Sequence, residues 1–206
     1  MEYKVSLSPV DYQFSANYME EYINNLSNTQ MNDLTWILEH PSIYTYGPLS
    51  NKNDLIDPDL FPVIETKRGG QYTYHGPGQR VVYLMINLNK YKKDIRYFIN
   101  SIEDLIINIL SEINIKAIKD NKHHGIFIKK NKELYKIASI GMQFKKWISC
   151  HGFSININPQ LSHYKGIKPC GLDNNLVTSI ENEGVLIANQ DFDAIIISEL
   201  NKLFPL

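Results

Sequence analysis

The sequence predicts an α+β fold in one domain, on three observations. Strand-like segments follow one another directly between residues 125 and 157, where regular βαβ alternation would interpose helices. Helical patterns stand before and after that run. No Pro/Gly/Ser-rich linker divides the 206 residues, which at 43% hydrophobic content suffice for one full-sized core.

Taken in order, Ser8-Pro9 reads as an N-cap followed by proline at the first helical position. Phe14, Tyr18, Tyr22 and Leu26 then recur every four residues, as on one helix face. Leu34 to Leu38 reads as a strand, and Ile43 to Tyr46 as a second, short one set off by Pro41, Gly47 and Pro48. Residues 48–62, rich in Pro, Asn and Asp, read as a surface loop. Val81 to Leu88 is apolar on both faces and is expected in the middle of a sheet. Apolar residues from Ile95 to Ile113 hold helical spacing for five turns. Gly125–Ile128, Lys136–Met142, Trp147–Ser149 and Gly152–Ile157 read as successive strands, and Phe192–Leu203 as a last helix.

Composition narrows the function. The net charge of −1 argues against general nucleic-acid binding. It hides a segregation: residues 1–66 carry −8, residues 67–169 carry +12 and residues 170–206 carry −5. The basic middle could steer an acidic partner, although surface lysines also serve solubility alone. Two cysteines are too few for a secreted disulfide scaffold, and neither CxxC nor HExxH occurs. No signal peptide and no apolar run near the ~20 residues of a membrane span is visible, so a cytoplasmic protein with reduced thiols is expected.

Three segments carry chemistry. Arg68-Gly69-Gly70-Gln71-Tyr72-Thr73-Tyr74-His75-Gly76-Pro77-Gly78-Gln79 combines four glycines with Arg, His, Tyr and Gln. Its backbone can approach a ligand closely and offer amides to a carbonyl oxygen. Lys136-Ile137-Ala138-Ser139-Ile140-Gly141, read as a regular strand, puts Lys136, Ala138 and Ile140 on one face, with room for a substrate chain over Ala138. By itself this segment would be read as an exposed strand lysine. Lys168-Pro169-Cys170-Gly171-Leu172 holds a cysteine in a constrained turn among polar neighbours, against the commoner fate of a buried apolar thiol. Cys150 is the competing nucleophile because His151 follows it. Adjacent strand residues point to opposite faces, so the two cannot serve one another without a bulge, and Cys150 is expected to be structural. His75 and His151, each followed by glycine, are site candidates.

Together these segments resemble the lipoyl (octanoyl) transferases of the biotin/lipoate protein ligase-like superfamily. The resemblance begins at Glu39-His40-Pro41-Ser42-Ile43-Tyr44-Thr45, passes through the glycine-rich loop, Lys136–Gly141 and His151–Asn158, and ends with Pro169-Cys170-Gly171 and Val177-Thr178-Ser179. Pro48, where the family often has Arg, and the lysine-rich turn Lys129–Tyr135 depart from the pattern. The resemblance implies a mixed, largely antiparallel sheet flanked by helices and a catalytic pair formed by Cys170 and Lys136. It implies substrate binding by Arg68, Gly69, Gly70, Tyr74, His75 and Gly76, by Ser139, Ile140 and Gly141, and by His151, Gly152, Phe153 and Ser154. An octanoyl or lipoyl group would pass from an acyl carrier protein thioester through Cys170 to a lysine of lipoyl domains, those of 2-oxoacid dehydrogenase complexes and the glycine cleavage H protein. The donor arrives activated, so neither ATP nor metal is called for, and a monomer acting without nucleic acid or membrane is expected. The alternatives are an ATP-dependent lipoate- or biotin-protein ligase, which needs no nucleophilic cysteine, a non-catalytic module that binds acyl carrier or lipoyl domain, and a cysteine hydrolase.

Overall fold

In the computed structural model, residues 1–27, 31–120, 123–168 and 176–205 are described. In chain order their elements are β1 (Glu2–Val5), α1 (Tyr12–Leu26), β2 (Leu34–Leu38), β3 (Ile43–Tyr46), β4 (Val63–Glu65), β5 (Thr73–His75), β6 (Gln79–Met85), α2 (Ile95–Glu112), β7 (Ile118–Lys119), β8 (Ile126–Lys130), β9 (Glu133–Lys145), β10 (Ile148–Asn156) and α3 (Asn189–Leu203). Seven strands form one sheet in the order β1-β2-β6-β10-β9-β8-β7, and β4-β3-β5 form a second. Only β1/β2 and β3/β4 run parallel among these pairs, so the sheets are mixed and largely antiparallel, as the resemblance implied.

The large sheet has helices on both faces. Val82, Leu84, Phe153 and Ile155 meet α2 and α3 through Ile102, Ile106, Phe192 and Ile196. Val81, Tyr83, Met85 and Cys150 meet α1 through Met19, Tyr22, Ile23 and Leu26. All seven residues of β6 are buried, because the strand lies inside the sheet between β2 and β10 with helices packed on both of its faces. Helix α2 starts at its cap Asp94, whose carboxylate accepts the Tyr97 N–H at 3.0 Å.

Three expectations shift. Helix α1 begins at Tyr12, capped by Asp11, because Ser6 and Val10 donate backbone bonds to Ile37 and Glu39 and hold Ser8-Pro9 beside β2. Its buried face runs through Tyr12, Ser15, Met19, Tyr22 and Ile23, leaving Phe14 59% exposed. The two strands expected at Trp147–Ser149 and Gly152–Ile157 are one, β10 (Ile148–Asn156), continuous through Cys150-His151. The segment read as a plain glycine-rich loop contains β5, paired with β3. The tight connections β8–β9 and β9–β10 turn on Asn131-Lys132 and Lys146-Trp147, all four residues at positive φ, the backbone twist that suits two-residue hairpins.

Candidate functional site

Lys136 enters the site through an irregularity in β9. Ala138 pairs with Ile126 and Lys136 with Phe127, so Ile137 has no partner on β8. That bulge cancels the two-residue alternation. Ile137 and Ala138 both sink into the core beneath α2, while Lys136 joins Ser139 and Gly141 in the wall of a cavity on the opposite face. The expected grouping of Lys136 with Ala138 is thereby corrected. Lys136 is 3% exposed, with its Nζ 5.9 Å from the centre of the Phe127 ring. Its stem runs past Gly125, where an added Cβ would lie 2.6 Å from Lys136 Cε and 2.7 Å from the Ala138 carbonyl oxygen.

The main chain of Lys136 is equally fixed. Its N–H donates to the Leu176 carbonyl at 2.8 Å and its carbonyl accepts from Thr178 N–H at 2.9 Å, a parallel bridge with Val177. Leu176 is the first described residue after 169–175, and Lys168, the last before them, donates to the Asp54 carbonyl at 2.7 Å. Cys170, with Pro169 and Gly171, lies outside the described residues.

The cavity is a narrow slot, with about 40 Å³ of space that water could occupy. Its floor is the β9/β10 hairpin, on which Ser154 pairs with Ser139 and Gly152 with Gly141. Phe153 and Ile140 complete the floor, and Arg68, Gly70 and Gln71 of the glycine-rich loop lie over it with Thr73 and His75. The loop can lie this close because Gly141 lacks a side chain: a Cβ there would stand 3.0 Å from Arg68 Cδ and 3.1 Å from the Gly69 carbonyl oxygen. Arg68 clasps the loop to β3. Its Nη2 donates to Thr45 O and Oγ1, both at 2.9 Å, and to Gln71 O at 3.0 Å, while Nη1 donates to Gly69 O at 3.0 Å.

Of the residues predicted to bind substrate, Arg68, Gly70, His75, Ser139, Ile140, Gly141, His151, Gly152, Phe153 and Ser154 line the slot with Lys136. Gly69, Tyr74 and Gly76 do not. Gly69 donates its N–H to the Met142 carbonyl at 2.9 Å. Tyr74 packs in the small-sheet core with its hydroxyl 3.0 Å from Ser42 Oγ and 2.8 Å from His163 Nδ1. Gly76 sits against the Tyr74 ring, where any Cβ would collide. Tyr12 and Tyr83 also line the slot, and both escaped the sequence reading. The misplaced start of α1 hid the first, and the apolar run of β6 hid the second.

A neutral histidine cluster backs the slot. Gln79 Nε2 donates to Asn156 Oδ1 at 2.9 Å and to the Tyr164 hydroxyl at 2.8 Å, so its Oε1 must accept from His75 Nδ1–H at 2.6 Å. His40 Nδ1 lies 2.6 Å from the Val10 carbonyl, which can only accept, leaving Nε2 to accept from the Tyr83 hydroxyl at 2.7 Å. Burial holds His40 and His151 down to about 4, and His75 well below the ordinary histidine range. His151 has a left-handed backbone, φ +60°, which brings its side chain into the same cavity wall as Cys150 despite their adjacency on a strand. The expectation of opposite faces is corrected by that one torsion. The Cys150 thiol is pushed up to about 11 by burial, which keeps it protonated and inert.

This cluster makes the fold acid-sensitive. The folded-state histidines bind protons less readily than the unfolded chain, whose imidazoles titrate near 6.5. Their stabilisation is therefore complete above about pH 6.5 and is lost as pH falls toward 4. Two to three such groups imply a melting temperature that is level from pH 8 to 7 and drops by roughly 10 °C per unit near pH 5. A melting temperature unchanged from pH 7 to pH 5 would contradict the burial of neutral rings.

Comparison with known proteins bears on the whole chain. Residues 11–201 match the model of the lipoyl protein ligase A/B catalytic domain. An octanoyltransferase of Bartonella tribocorum is 43% identical over 213 residues, covering 99% of this chain and 87% of its own. An octanoyltransferase of Ehrlichia canis is 40% identical, covering 99% of this chain and 96% of its own. Among solved structures, a bipartite lipoate protein ligase of Thermoplasma acidophilum, described with its E2 lipoyl domain, superposes with a TM-score of 0.75 at 12% identity, over 98% of this chain and 83% of that one. The biotin protein ligase of Aquifex aeolicus in complex with biotin and ATP superposes with a TM-score of 0.60 at 11% identity, over 98% and 69%. At such identities the superpositions speak for the fold alone.

Proposed function

The chain belongs to the lipoyl protein ligase A/B catalytic domain family, and from that premise we propose that it is a cytoplasmic octanoyltransferase working through Cys170 and Lys136. It takes an octanoyl group, or the related lipoyl group, from an acyl carrier protein thioester to a lysine of lipoyl domains and of the glycine cleavage H protein. This is the first step of endogenous protein lipoylation. The observation that carries the reading is the anchoring of Lys136: its side chain lines the slot while its own peptide is bonded to Leu176, six residues beyond Cys170.

The Cys170 thiolate attacks the thioester carbonyl, and backbone amides of the glycine-rich segments stabilise the oxyanion. The carrier thiolate leaves and takes a proton from the Lys136 ammonium. One thioester has replaced another, so this half-reaction is close to neutral in energy. The acceptor lysine amine then attacks the acyl-enzyme, Lys136 removes its proton, and the Cys170 thiolate departs. Formation of the amide drives the second half. Before attack, an ammonium beside the thiol favours the thiolate form. The alkyl chain lies in the slot, running from Lys136 past Ser139 and Ser154.

The test is the protein mixed with octanoyl carrier protein in the absence of ATP. Intact-protein mass should rise by one octanoyl group, mapped by peptide digestion to Cys170, and adding a lipoyl domain should discharge it. Cys150→Ala should leave that adduct in place. An adduct on Cys150, or octanoylation of the lipoyl domain that appears only with ATP, would overturn the reading.

A further inference from the structure

A second cavity, about 330 Å³, adjoins the slot, and the two share Tyr12 and His151 in their walls. Their arrangement follows the hairpin. From Lys136 the slot passes the Ser139/Ser154 and Gly141/Gly152 pairs, and one residue further on Met142 faces His151. Gln143 and Cys150, the next pair, already belong to the second cavity, with Lys145 beyond them. Its helix side is formed by Ala16, Glu20 and Ile23 of α1, and the Lys67–Glu20 ion pair at 3.7 Å spans its rim. Room for a longer alkyl chain therefore exists past Tyr12 and His151.

What stands at the junction is polar. The Tyr12 hydroxyl and His151 Nδ1 are buried, in residues only 3% and 7% exposed, and neither has a hydrogen-bond partner among the described residues. The Tyr12 hydroxyl neighbours Tyr83 without making a hydrogen bond of ordinary geometry. Burial keeps the phenol protonated and the imidazole uncharged at neutral pH, so two neutral polar groups stand in the residues that both cavities share. Methylenes packed against these two groups would bar water from both, whereas a chain ending short of them leaves part of the slot's water-sized space for a water toward which either group can turn.

We propose that Tyr12 and His151 form a polar threshold at the end of the acyl slot, and that this threshold, with ample space behind it, sets the upper limit of acyl length near octanoyl. The proposal rests on the octanoyltransferase reading and adds to it the means of length selection. It makes the limit chemical: removing one oxygen atom should extend the accepted chain without enlarging the slot.

The experiment compares kcat/KM for octanoyl and dodecanoyl carrier-protein thioesters. Tyr12→Phe should raise the dodecanoyl-to-octanoyl ratio by roughly tenfold over the parent. His151→Asn, which tolerates the left-handed backbone and shortens the side chain, should raise it likewise and decides the matter if Tyr12→Phe fails to fold. Ala16 lines the second cavity and not the slot, so Ala16→Leu added to Tyr12→Phe should return the ratio toward the parent value. A folded variant of either residue with an unchanged ratio overturns the threshold while leaving octanoyl transfer intact. A parent protein that transfers neither chain overturns the octanoyltransferase reading, and the threshold with it.

Discussion

Lys136→Met is expected to lower octanoyl transfer by about three orders of magnitude, the contribution of a positioned general acid–base group, while the protein stays folded. Methionine has nearly the length of the lysine stem and suits the aromatic surface of Phe127. An uncharged, flexible side chain of this length suits a site only 3% exposed, so the melting temperature should stay within a few degrees of the parent. The loss should fall on kcat, with KM for the carrier thioester changed only a few-fold, because the amine acts on the departing and entering protons and not on carrier docking. Single-turnover mixing separates the two halves: both acyl-enzyme formation and its discharge should slow, since the same amine serves each. A folded Lys136→Met protein retaining a tenth or more of the parent kcat would remove Lys136 from the mechanism.

The sequence pointed to Lys136 only through the resemblance, and its orientation was not readable there at all. The period-two rule places it on the face of Ala138, and it fails because one residue, Ile137, is left unpaired when β9 meets β8. That mismatch is decided by the register of two neighbouring strands, information that no local pattern in 136–141 contains. The same limit explains His151. A left-handed histidine inside a strand has no signature in the residues around it, and only the assembled wall shows that it shares a cavity with Cys150. Where one periodicity dominates over many residues, as in α2 and β6, elements were legible to within a few residues. Short edge strands such as β1 and β7 were not, because two to four residues carry too little pattern to outweigh their neighbours. Within the glycine-rich segment the chemistry was visible but its division was not. Arg68 and His75 reach the slot, whereas Tyr74, one residue from His75 on β5, points into the small-sheet core and bonds Ser42 and His163. Strand alternation makes that split inevitable once β5 exists.

The second large effect is expected at a residue that does no chemistry. Gly125→Ala should reduce transfer by about a hundredfold, the usual cost of displacing a reacting group by an ångström. Two physical costs act there. The backbone at φ +126° is one that side-chain-bearing residues rarely adopt, and the new methyl would meet Lys136 Cε at 2.6 Å and the Ala138 carbonyl oxygen at 2.7 Å. The carbonyl belongs to the sheet, through the pairing of Ala138 with Ile126 and Ile155, whereas the lysine stem can rotate. Lys136 therefore moves. Backbone strain alone is separable from this displacement. Gly184, at φ +86° in the left-handed region, has nothing within 4 Å of an added Cβ, so Gly184→Ala bears a torsional cost, the smaller of the two, in open space. Both variants should melt lower than the parent, by an amount corresponding to about 1–3 kcal/mol. Only Gly125→Ala should lose kcat, and it should lose it in both halves of the reaction, as Lys136→Met does. Equal activity losses in the two variants would mean that general weakening of the fold, and not the position of the amine, had been measured. Full activity in a folded Gly125→Ala protein would show that Lys136 can leave its observed seat without consequence, and the assignment of proton transfer to that seat would fall with it.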